Sequence, residues 1–431
     1  MVVNKEKTVQ EVKRLVAEYF RESSPKNPKY KVPLMSRLYD EDEVAEVVDT
    51  LLTPERLTLN ASGDLKTERF EEMWAKFIGV KNGVMVNSGS SANLVAFYML
   101  TNPAVINRLK PGDEIVTPAL TWSTSISPMF ATGMTPVLVD SNLDDYNMDT
   151  NQLEAAIGPR TKAILAVHLL GFPIDMDEVM RIAKKRNLFV IEDCCESPGA
   201  EWKGKRVGSF GDISTFSFYL SHHITTLEGG MVMVNDDDMA ELARIIRSQG
   251  VMRNVKSQAY KDKINSMSPE IDPRFLFANT GYNFRTSEME GAFGVVQFKK
   301  FDKYFRAREE NAAFFNKELG KFSDFLSVSP VKRWTRPAWF CYPVAVKDTK
   351  VDVTELRKFL EQRGIETRPV MGGDYTRHPV ARLFNHRVVG DLPNTRFIHK
   401  NAFLIGVHAG IGKEERDHVI SAFEEFFRKR R

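Results

Sequence analysis

The amino-acid sequence predicts an α/β protein built on a doubly wound, mostly parallel sheet. From about residue 83, short apolar runs alternate with amphipathic segments: GVMVNSG precedes SSANLVAFYML, and DMDEVMRIAKKRN precedes LFVIEDCC. Strands that alternate with helices are joined by crossover connections, which build parallel sheets with helices on both faces. We therefore expect such a sheet to form the core of a large domain.

Other patterns lie on either side of this alternation. Residues 8–20 place apolar side chains at helical spacing, which predicts an amphipathic helix, and a stretch with three prolines in 13 residues then indicates a linker. Residues 286–320 are strongly helical and charged, and the segments beyond them predict a smaller α+β domain. We expect three parts: an N-terminal helix and linker, a large domain and a small C-terminal domain. Their expected ranges are 1–35, 36–300 and 301–431.

Composition excludes several classes of protein. The 431 residues carry 60 Lys+Arg against 57 Asp+Glu, a net charge of +3, which argues against a polybasic nucleic-acid surface. Three cysteines, two of them adjacent, cannot form a disulfide framework and favour a reducing cytoplasm. No stretch approaches the ~18 apolar residues of a membrane span, and the first residues lack an apolar signal core. We expect a cytoplasmic globular protein that binds neither nucleic acid nor membrane.

The segment NSGSSANL, residues 87–94, lies at a predicted strand-to-helix junction. Small residues allow the backbone to approach an anion closely, and the N–H groups at the start of a helix point toward it. The same composition is common at ordinary helix N-caps, so the segment alone does not decide between the two interpretations.

Two further segments carry chemically active side chains. Asp193 ends an apolar strand, where ligands bind in open α/β sheets, although a loop carboxylate is the alternative. Residues 217–230, SFYLSHHITTLEGG, combine two adjacent histidines with hydroxyl groups and a Gly-Gly pair. Neighbouring side chains on a strand point to opposite faces, and no metal-ligand spacing accompanies the histidines. We therefore predict no metal site.

Together these segments resemble the sugar aminotransferase/dehydratase family of pyridoxal-phosphate enzymes, which has the fold-type I, aspartate aminotransferase-like fold. The resemblance implies a large domain with a mostly parallel sheet of the seven-stranded type, a smaller C-terminal α+β domain, and a homodimer whose active site is shared between subunits. The matching segments are SGSSAN (88–93), TPALTWSTS (117–125), IEDCCES (191–197), GSFGDISTFSFYLSHHITTLEGG (208–230), NTGYNFRTSEMEGA (279–292), PAWFCYPV (337–344), GIETRP (364–369) and RVVGDLPNT (387–395).

The resemblance implies which residues hold the phosphate of pyridoxal 5'-phosphate (PLP) or its amine form, pyridoxamine 5'-phosphate (PMP). Gly89, Ser90 and Ser217 occupy the phosphate-binding positions of the family. Asn283 occupies a position that reaches the cofactor from the partner subunit of the dimer.

The resemblance also implies the contacts to the cofactor ring. Trp122 stacks on the pyridine ring, which suits a large aromatic surface. Asp193 pairs with the pyridinium nitrogen and keeps it protonated, so that the ring remains an electron sink. Glu196 occupies the position that usually touches the ring hydroxyl.

His222 departs from the pattern of the aminotransferases. When LEGG at 227–230 is aligned with the family segment, His222 falls on the position of the lysine that binds the cofactor covalently, and no lysine occurs from Arg206 to Val255. Imidazole cannot form that stable covalent link, but it can transfer a proton near neutral pH. The resemblance therefore implies that His222 is the catalytic base of an enzyme that does not tether its cofactor.

Within the family, a histidine at this position marks the nucleotide-ketosugar 3-dehydratases of deoxysugar and O-antigen biosynthesis. One branch uses PMP regenerated from glutamate, whereas the other also binds a [2Fe–2S] cluster, which normally takes four cysteine thiolates. This chain has three cysteines, and residues 250–275, where the second branch keeps its cysteines, contain none. We therefore expect an iron–sulfur-independent 3-dehydratase of a nucleotide-linked 4-keto-6-deoxyhexose, of the lyase type.

Arg253 and Arg285 are the candidates for binding the carboxylates of glutamate, because arginine is the natural bidentate partner of a carboxylate. Surface or interface ion pairs are the alternative for both. Two other functions stay open: a lysine-less sugar aminotransferase in which His222 carries the proton, and a non-catalytic relative of the fold. The sequence does not predict the sugar or its nucleotide carrier.

Overall fold

The computed structural model describes residues 4–22, 29–54, 57–58, 65–428 and 430. Part of the predicted linker, residues 23–28, lies outside the described residues. The three-part division expected from the sequence stays a prediction. The described chain forms two compact units: unit 1 takes its residues from Met1–Ser24, Tyr39–Leu109 and Asp212–Lys300, and unit 2 takes its residues from Pro25–Leu38, Lys110–Gly211 and Phe301–Arg431.

Helices and strands alternate through the middle of the chain, as predicted. The helices are α1 (Lys5–Glu22), α2 (Glu41–Leu51), α3 (Lys66–Ile78), α4 (Gly89–Thr101), α5 (Ser123–Ala131), α6 (Leu153–Ala156), α7 (Met176–Arg186), α8 (Asp237–Arg247), α9 (Gln258–Asn265), α10 (Glu288–Leu319), α11 (Val353–Gln362), α12 (Pro393–Asn401) and α13 (Lys413–Arg428). The strands are β1 (Asn82–Val86), β2 (Glu114–Pro118), β3 (Thr135–Val139), β4 (Thr161–Val167), β5 (Phe189–Asp193), β6 (Glu201–Trp202), β7 (Lys205–Arg206), β8 (Ile213–Ser217), β9 (Gly230–Val234), β10 (Leu326–Val328), β11 (Thr335–Arg336), β12 (Tyr342–Val346), β13 (Arg368–Pro369), β14 (Arg387–Val388) and β15 (Ala402–Ile405).

In unit 1, β9 pairs antiparallel with both β1 and β8. Aromatic side chains pack beside these strands: the ring centroids of Trp74 and Phe216 lie 5.4 Å apart, and those of Phe70 and Phe218 lie 4.9 Å apart. Edge-to-face pairs of this kind add to the stabilisation that apolar burial provides. The predicted helices at 8–20 and 286–320 are confirmed as α1 and α10, and the residues of α10 up to Lys300 belong to this unit.

In unit 2, five parallel strands lie in the order β5-β4-β2-β3-β14. Apolar side chains from β2, β3, β4 and β5 form a buried core with those of α7. Four of the six pairings in the two strand groups are parallel, which confirms the mostly parallel α/β class. The groups contain three and five strands, one more than the seven-stranded type that the resemblance implies. The additional strand is the two-residue β14, which pairs with β3.

Unit 2 also contains the smaller α+β part expected near the C-terminus. An antiparallel sheet has the strand order β10-β12-β15-β13, and helices α11 and α13 pack against each other in the same unit. A second small sheet joins β11, β6 and β7. Among the residues that the structure describes, no helix has both the length and the apolar character to cross a membrane.

Candidate active site

Unit 1 contains a candidate region at the start of helix α4. Ser88 is the N-cap: its hydroxyl accepts a hydrogen bond from the Ser91 N–H at 3.0 Å. Helix α4 begins at Gly89, which is buried, whereas Ser90 is exposed. The first N–H groups of a helix have no partner within it and carry its positive dipole end, so this terminus is suited to bind a phosphate.

Gly230 brings Ser217 to this helix start. In the ladder of unit 1, Gly230 pairs with Val86 on one side and with Ser217 on the other. A Cβ atom at Gly230 would lie 2.2 Å from the Ser88 carbonyl oxygen, which no side chain can accommodate. The absence of a side chain at Gly230 therefore creates the close packing that places the buried Ser217 beside the N-terminus of α4.

His222 lies in a turn that begins at Ser217. The Tyr219 N–H donates to the Ser217 hydroxyl at 3.4 Å, and the His222 N–H donates to the Tyr219 carbonyl at 2.9 Å. The rings of Tyr219 and His222 meet edge to face with centroids 6.2 Å apart. Because two short-range contacts join them, Ser217 and the half-buried His222 belong to one local structure.

The segment that contains Asn283 and Arg285 lies next to this structure. The Asn87 N–H donates to the Phe284 carbonyl at 2.9 Å, so the segment runs beside the residue that precedes Ser88. Asn283 is exposed, and the guanidinium of Arg285 donates to the Gln249 side chain at 3.1 Å.

Arg253 is exposed in a separate short 3₁₀ turn, Met252–Asn254. Its guanidinium points toward the Arg274 carbonyl at 3.5 Å. The glutamate-binding role expected for Arg253 stays a prediction.

Unit 2 contains a candidate region of its own, the carboxylate of Asp193. Asp193 is buried at the carboxyl end of β5, the position expected of a ligand-binding residue in a parallel sheet. The Ser125 hydroxyl donates to Oδ2 at 2.7 Å, and the Cys195 N–H donates to Oδ1 at 3.1 Å. Two donors therefore fix the orientation of the carboxylate.

Sequence reasoning missed Ser125, although a signal for it exists. Ser125 follows the predicted ring-stacking residue Trp122 by three positions, within the first turn of α5. A polar residue at that spacing shares a helix face with the end of the preceding loop. Trp122 itself is 55% exposed, so the large aromatic surface that stacking requires remains accessible.

Glu196 is held by an unusual stretch of backbone in unit 2. The Leu170 N–H donates to Oε2 of Glu196 at 2.7 Å. Leu170 has a left-handed φ of +55°, and Gly171 follows with a φ of +87°. A Cβ atom at Gly171 would lie 2.6 Å from the Trp339 nitrogen, so glycine is required there. Burial raises the pKa of Glu196 to about 8, because the charged form loses its hydration.

Replacing Glu196 with glutamine is expected to flatten the pH dependence of the unfolding free energy of the cofactor-free protein. The folded carboxyl group keeps its proton up to a pKa of about 8, whereas an unperturbed glutamate loses its proton near 4.5. Glu196 therefore contributes relative stability that is complete at low pH and is lost as the pH rises through this window. Denaturant unfolding from about pH 5 to about pH 9 tests this expectation, and equal slopes for both proteins would contradict it.

His168, Glu192 and Cys194 form a buried cluster in unit 2 that has the composition of a metal site. The Ile174 N–H donates to Nδ1 of His168 at 3.2 Å, so Nε2 carries the proton and faces Glu192 Oε2 at 3.2 Å. Glu192 also accepts backbone N–H groups from Gly208, Phe210 and Gly211. Because these ligand atoms already make hydrogen bonds, we assign the cluster a structural role: it anchors the turn that leads into β8.

The buried carboxylate at the end of a parallel strand in unit 2, and the helix N-terminus near a serine in unit 1, are features expected of the fold-type I pyridoxal-phosphate enzymes. The chain belongs to the DegT/DnrJ/EryC1/StrS aminotransferase family, whose model matches residues 39–424.

Three relatives are similar over most of their length. The lipopolysaccharide biosynthesis protein RfbH of Salmonella typhimurium is 34% identical over 97% of this chain and 98% of its own. The GDP-4-keto-6-deoxy-D-mannose 3-dehydratase of Yersinia pseudotuberculosis is 34% identical over 87% of this chain and 94% of its own. A crystal structure of GDP-4-keto-6-deoxymannose-3-dehydratase with a trapped PLP-glutamate geminal diamine is 33% identical, with a TM-score of 0.81, over 91% of this chain and 100% of that chain.

Proposed function

We propose that this protein is a PLP/PMP-dependent, glutamate-using, iron–sulfur-independent 3-dehydratase of a nucleotide-linked 4-keto-6-deoxyhexose. The observation that carries the proposal is His222: a histidine takes the place of the cofactor-binding lysine, on the turn that starts at Ser217. The relatives support it, because the Yersinia protein is named a 3-dehydratase and the similar crystal structure contains PLP and glutamate.

The residues of unit 1 fit the phosphate end of the cofactor. The N–H groups of Gly89 and Ser90 begin a helix of 13 residues, and glycine at position 230 allows the strand backbone to pack against the residue that precedes them. The Ser217 hydroxyl accepts a backbone N–H and can still donate its own proton to a phosphate oxygen. We assign the remaining contact to the phosphate to Asn283 of a second copy of the protein.

The residues of unit 2 fit the ring of the cofactor. Trp122 offers an accessible face for stacking, and Asp193 offers a carboxylate in a fixed orientation for the pyridinium nitrogen. Glu196, with a pKa raised to about 8, is protonated at neutral pH and can donate to the ring hydroxyl oxygen. When bound, the cofactor carries the amino group and acts as an electron sink.

His222 moves the proton in this scheme. Its imidazole would accept and return a proton beside the bound cofactor, whose chemistry would allow the C3 hydroxyl of the sugar to leave as water. Glutamate is the reductant: it becomes 2-oxoglutarate, and its nitrogen is released as ammonia. Arg285 and Arg253 would bind the two carboxylates of glutamate.

The cysteines support a reaction without an iron–sulfur cluster. The chain has three cysteines, whereas such a cluster normally takes four thiolates. Burial and the neighbouring charges of Glu192 and Asp193 raise the pKa of Cys194 well above its ordinary value, and burial with Asp193 does the same for Cys195. Both thiols therefore favour the neutral form, which is a poor ligand.

We further propose that the protein works as a homodimer in the cytoplasm. The assignment of Asn283 requires a second copy at each site, and a two-fold symmetric dimer is the simplest assembly that supplies it. The three cysteines are free, as expected in a reducing compartment.

The proposal is tested with purified protein, PLP, glutamate and a series of nucleotide-linked 4-keto-6-deoxy sugars, beginning with the GDP-linked mannose derivative. The expected result is release of ammonia and 2-oxoglutarate in equal amounts, together with a sugar that has lost one oxygen atom. An amino sugar formed without ammonia would replace the proposal with transamination. No spectral change with glutamate would contradict both enzymatic functions and leave a non-catalytic relative.

A further inference from the structure

We propose that Ser125, supported by Thr121, is a positioning residue that keeps the pyridine nitrogen of the cofactor protonated by fixing the carboxylate of Asp193. The inference rests on the proposed function, because it assigns Asp193 to that nitrogen. It concerns two hydroxyl groups to which the resemblance gives no role.

The contacts form a short chain of hydrogen bonds inside unit 2. The Thr121 hydroxyl donates to the Ser125 hydroxyl at 3.1 Å, and the Ser125 hydroxyl donates to Asp193 Oδ2 at 2.7 Å. All three side chains are buried, with exposures of 3%, 2% and 5%. In such surroundings a hydrogen bond to a charged group is stronger than on the surface, and successive bonds reinforce one another.

Chemistry fixes which group is the donor in each of these hydrogen bonds. An ionised carboxylate only accepts hydrogen bonds, so Ser125 must give its proton to Asp193 and must take its own hydrogen bond from Thr121. The other oxygen, Oδ1, accepts the Cys195 N–H at 3.1 Å. These two donors hold the carboxylate at both oxygens, and an ionised carboxylate has about four lone-pair sites in all.

The pyridinium N–H is the third donor that the proposed function supplies. Its retention of a proton depends on a carboxylate that is both charged and correctly aimed. Without Ser125, Asp193 loses the donor at Oδ2, and its carboxylate is held less firmly in the orientation that faces the nitrogen. Thr121 acts one step further away, so its loss should have a smaller effect in the same direction.

The test measures the cofactor directly. The protein is reconstituted with PLP labelled with ¹⁵N in the pyridine ring, and the chemical shift of that nitrogen is followed as the pH rises. With Ser125→Ala, we expect the nitrogen to lose its proton about 1–2 pH units below the wild-type value, as expected for losing one hydrogen bond to a charged group. Ser125→Thr keeps a hydroxyl and should restore the wild-type titration, and Thr121→Val should give a smaller shift.

Ser127→Ala is the matched control. Ser127 lies on the same helix, but its hydroxyl is exposed and donates to the Ser123 carbonyl at 2.8 Å. Its removal should leave the titration of the cofactor nitrogen unchanged. This control separates an effect on Asp193 from a general effect of removing a hydroxyl group from α5.

The outcomes are distinguishable. If wild-type protein does not hold the labelled cofactor, the proposed function fails and the inference fails with it. If the cofactor binds but Ser125→Ala titrates like the wild type, or Ser125→Thr does not restore the titration, only the inference is overturned. Should Ser125→Ala fail to fold, Thr121→Val decides instead, and an unchanged titration in that variant overturns the inference.

Discussion

Replacing His222 with asparagine is expected to lower the turnover number by about 10²–10⁴-fold, the usual contribution of a general acid–base group. Asparagine is similar in size to imidazole but cannot take up a proton near neutral pH. The cofactor should still bind, because the helix start at Gly89 and the carboxylate of Asp193 are unchanged. Turnover is measured as ammonia release, and cofactor affinity is measured by the absorbance of bound PLP.

His386→Asn serves as the matched control, since His386 is the same residue type and its Nδ1 lies 3.2 Å from the carbonyl oxygen of Phe384. The His386→Asn variant should keep the wild-type turnover number and the wild-type affinity for PLP. Full turnover in His222→Asn would remove His222 from the role of base. Loss of cofactor binding in the same variant would instead show that His222 shapes the binding site.

Replacing Asp193 with asparagine is expected to lower the turnover number by about 10²–10³-fold, as does removal of one group that stabilises developing charge. The amide oxygen can still accept the Cys195 N–H, so the amide nitrogen must face the Ser125 hydroxyl. The fold should tolerate this arrangement because a hydroxyl can also accept. What disappears is the negative charge that holds a proton on the pyridine nitrogen, and the absorbance of bound PLP should change accordingly.

Asp236→Asn is the control for this exchange. Asp236 caps α8 through the Met239 N–H at 2.9 Å, and asparagine is an equally good N-cap. Turnover and unfolding free energy should therefore stay close to wild type. Wild-type turnover in Asp193→Asn would contradict the pairing of Asp193 with the cofactor nitrogen.

Much of the fold could be predicted because its elements have local causes. β5 is an apolar run that ends in a carboxylate, and α7 before it has an apolar stripe at helical spacing and an aspartate cap. The two-residue strand β14 has no such pattern of its own. It exists because it pairs with β3, and because Arg387 within it bonds to Glu114 at 2.9 Å, 273 positions away. Contacts between residues so far apart in the sequence produce no local pattern of apolar residues from which the strand could be predicted.

Some features of the candidate site could likewise be predicted from the sequence, whereas others could not. The role of Asp193 was predicted from the resemblance, because its place at the end of a strand also fits a loop carboxylate, and Gly230 lies in a matched segment. The raised pKa of Glu196 was not predictable, because it depends on burial and on the N–H of Leu170, whose left-handed backbone is set by the tertiary structure. Ser125 was overlooked because a serine in a helical first turn usually serves only local hydrogen bonds.

Gly230 joins three parts of the chain at one point: it is the ladder partner of Val86 and of Ser217, and it touches the carbonyl that precedes α4. Sheet backbone at Gly230 would therefore form one wall of the phosphate site. A cofactor bound against this strand would stabilise the native protein, and the unfolding free energy would rise with the logarithm of the cofactor concentration.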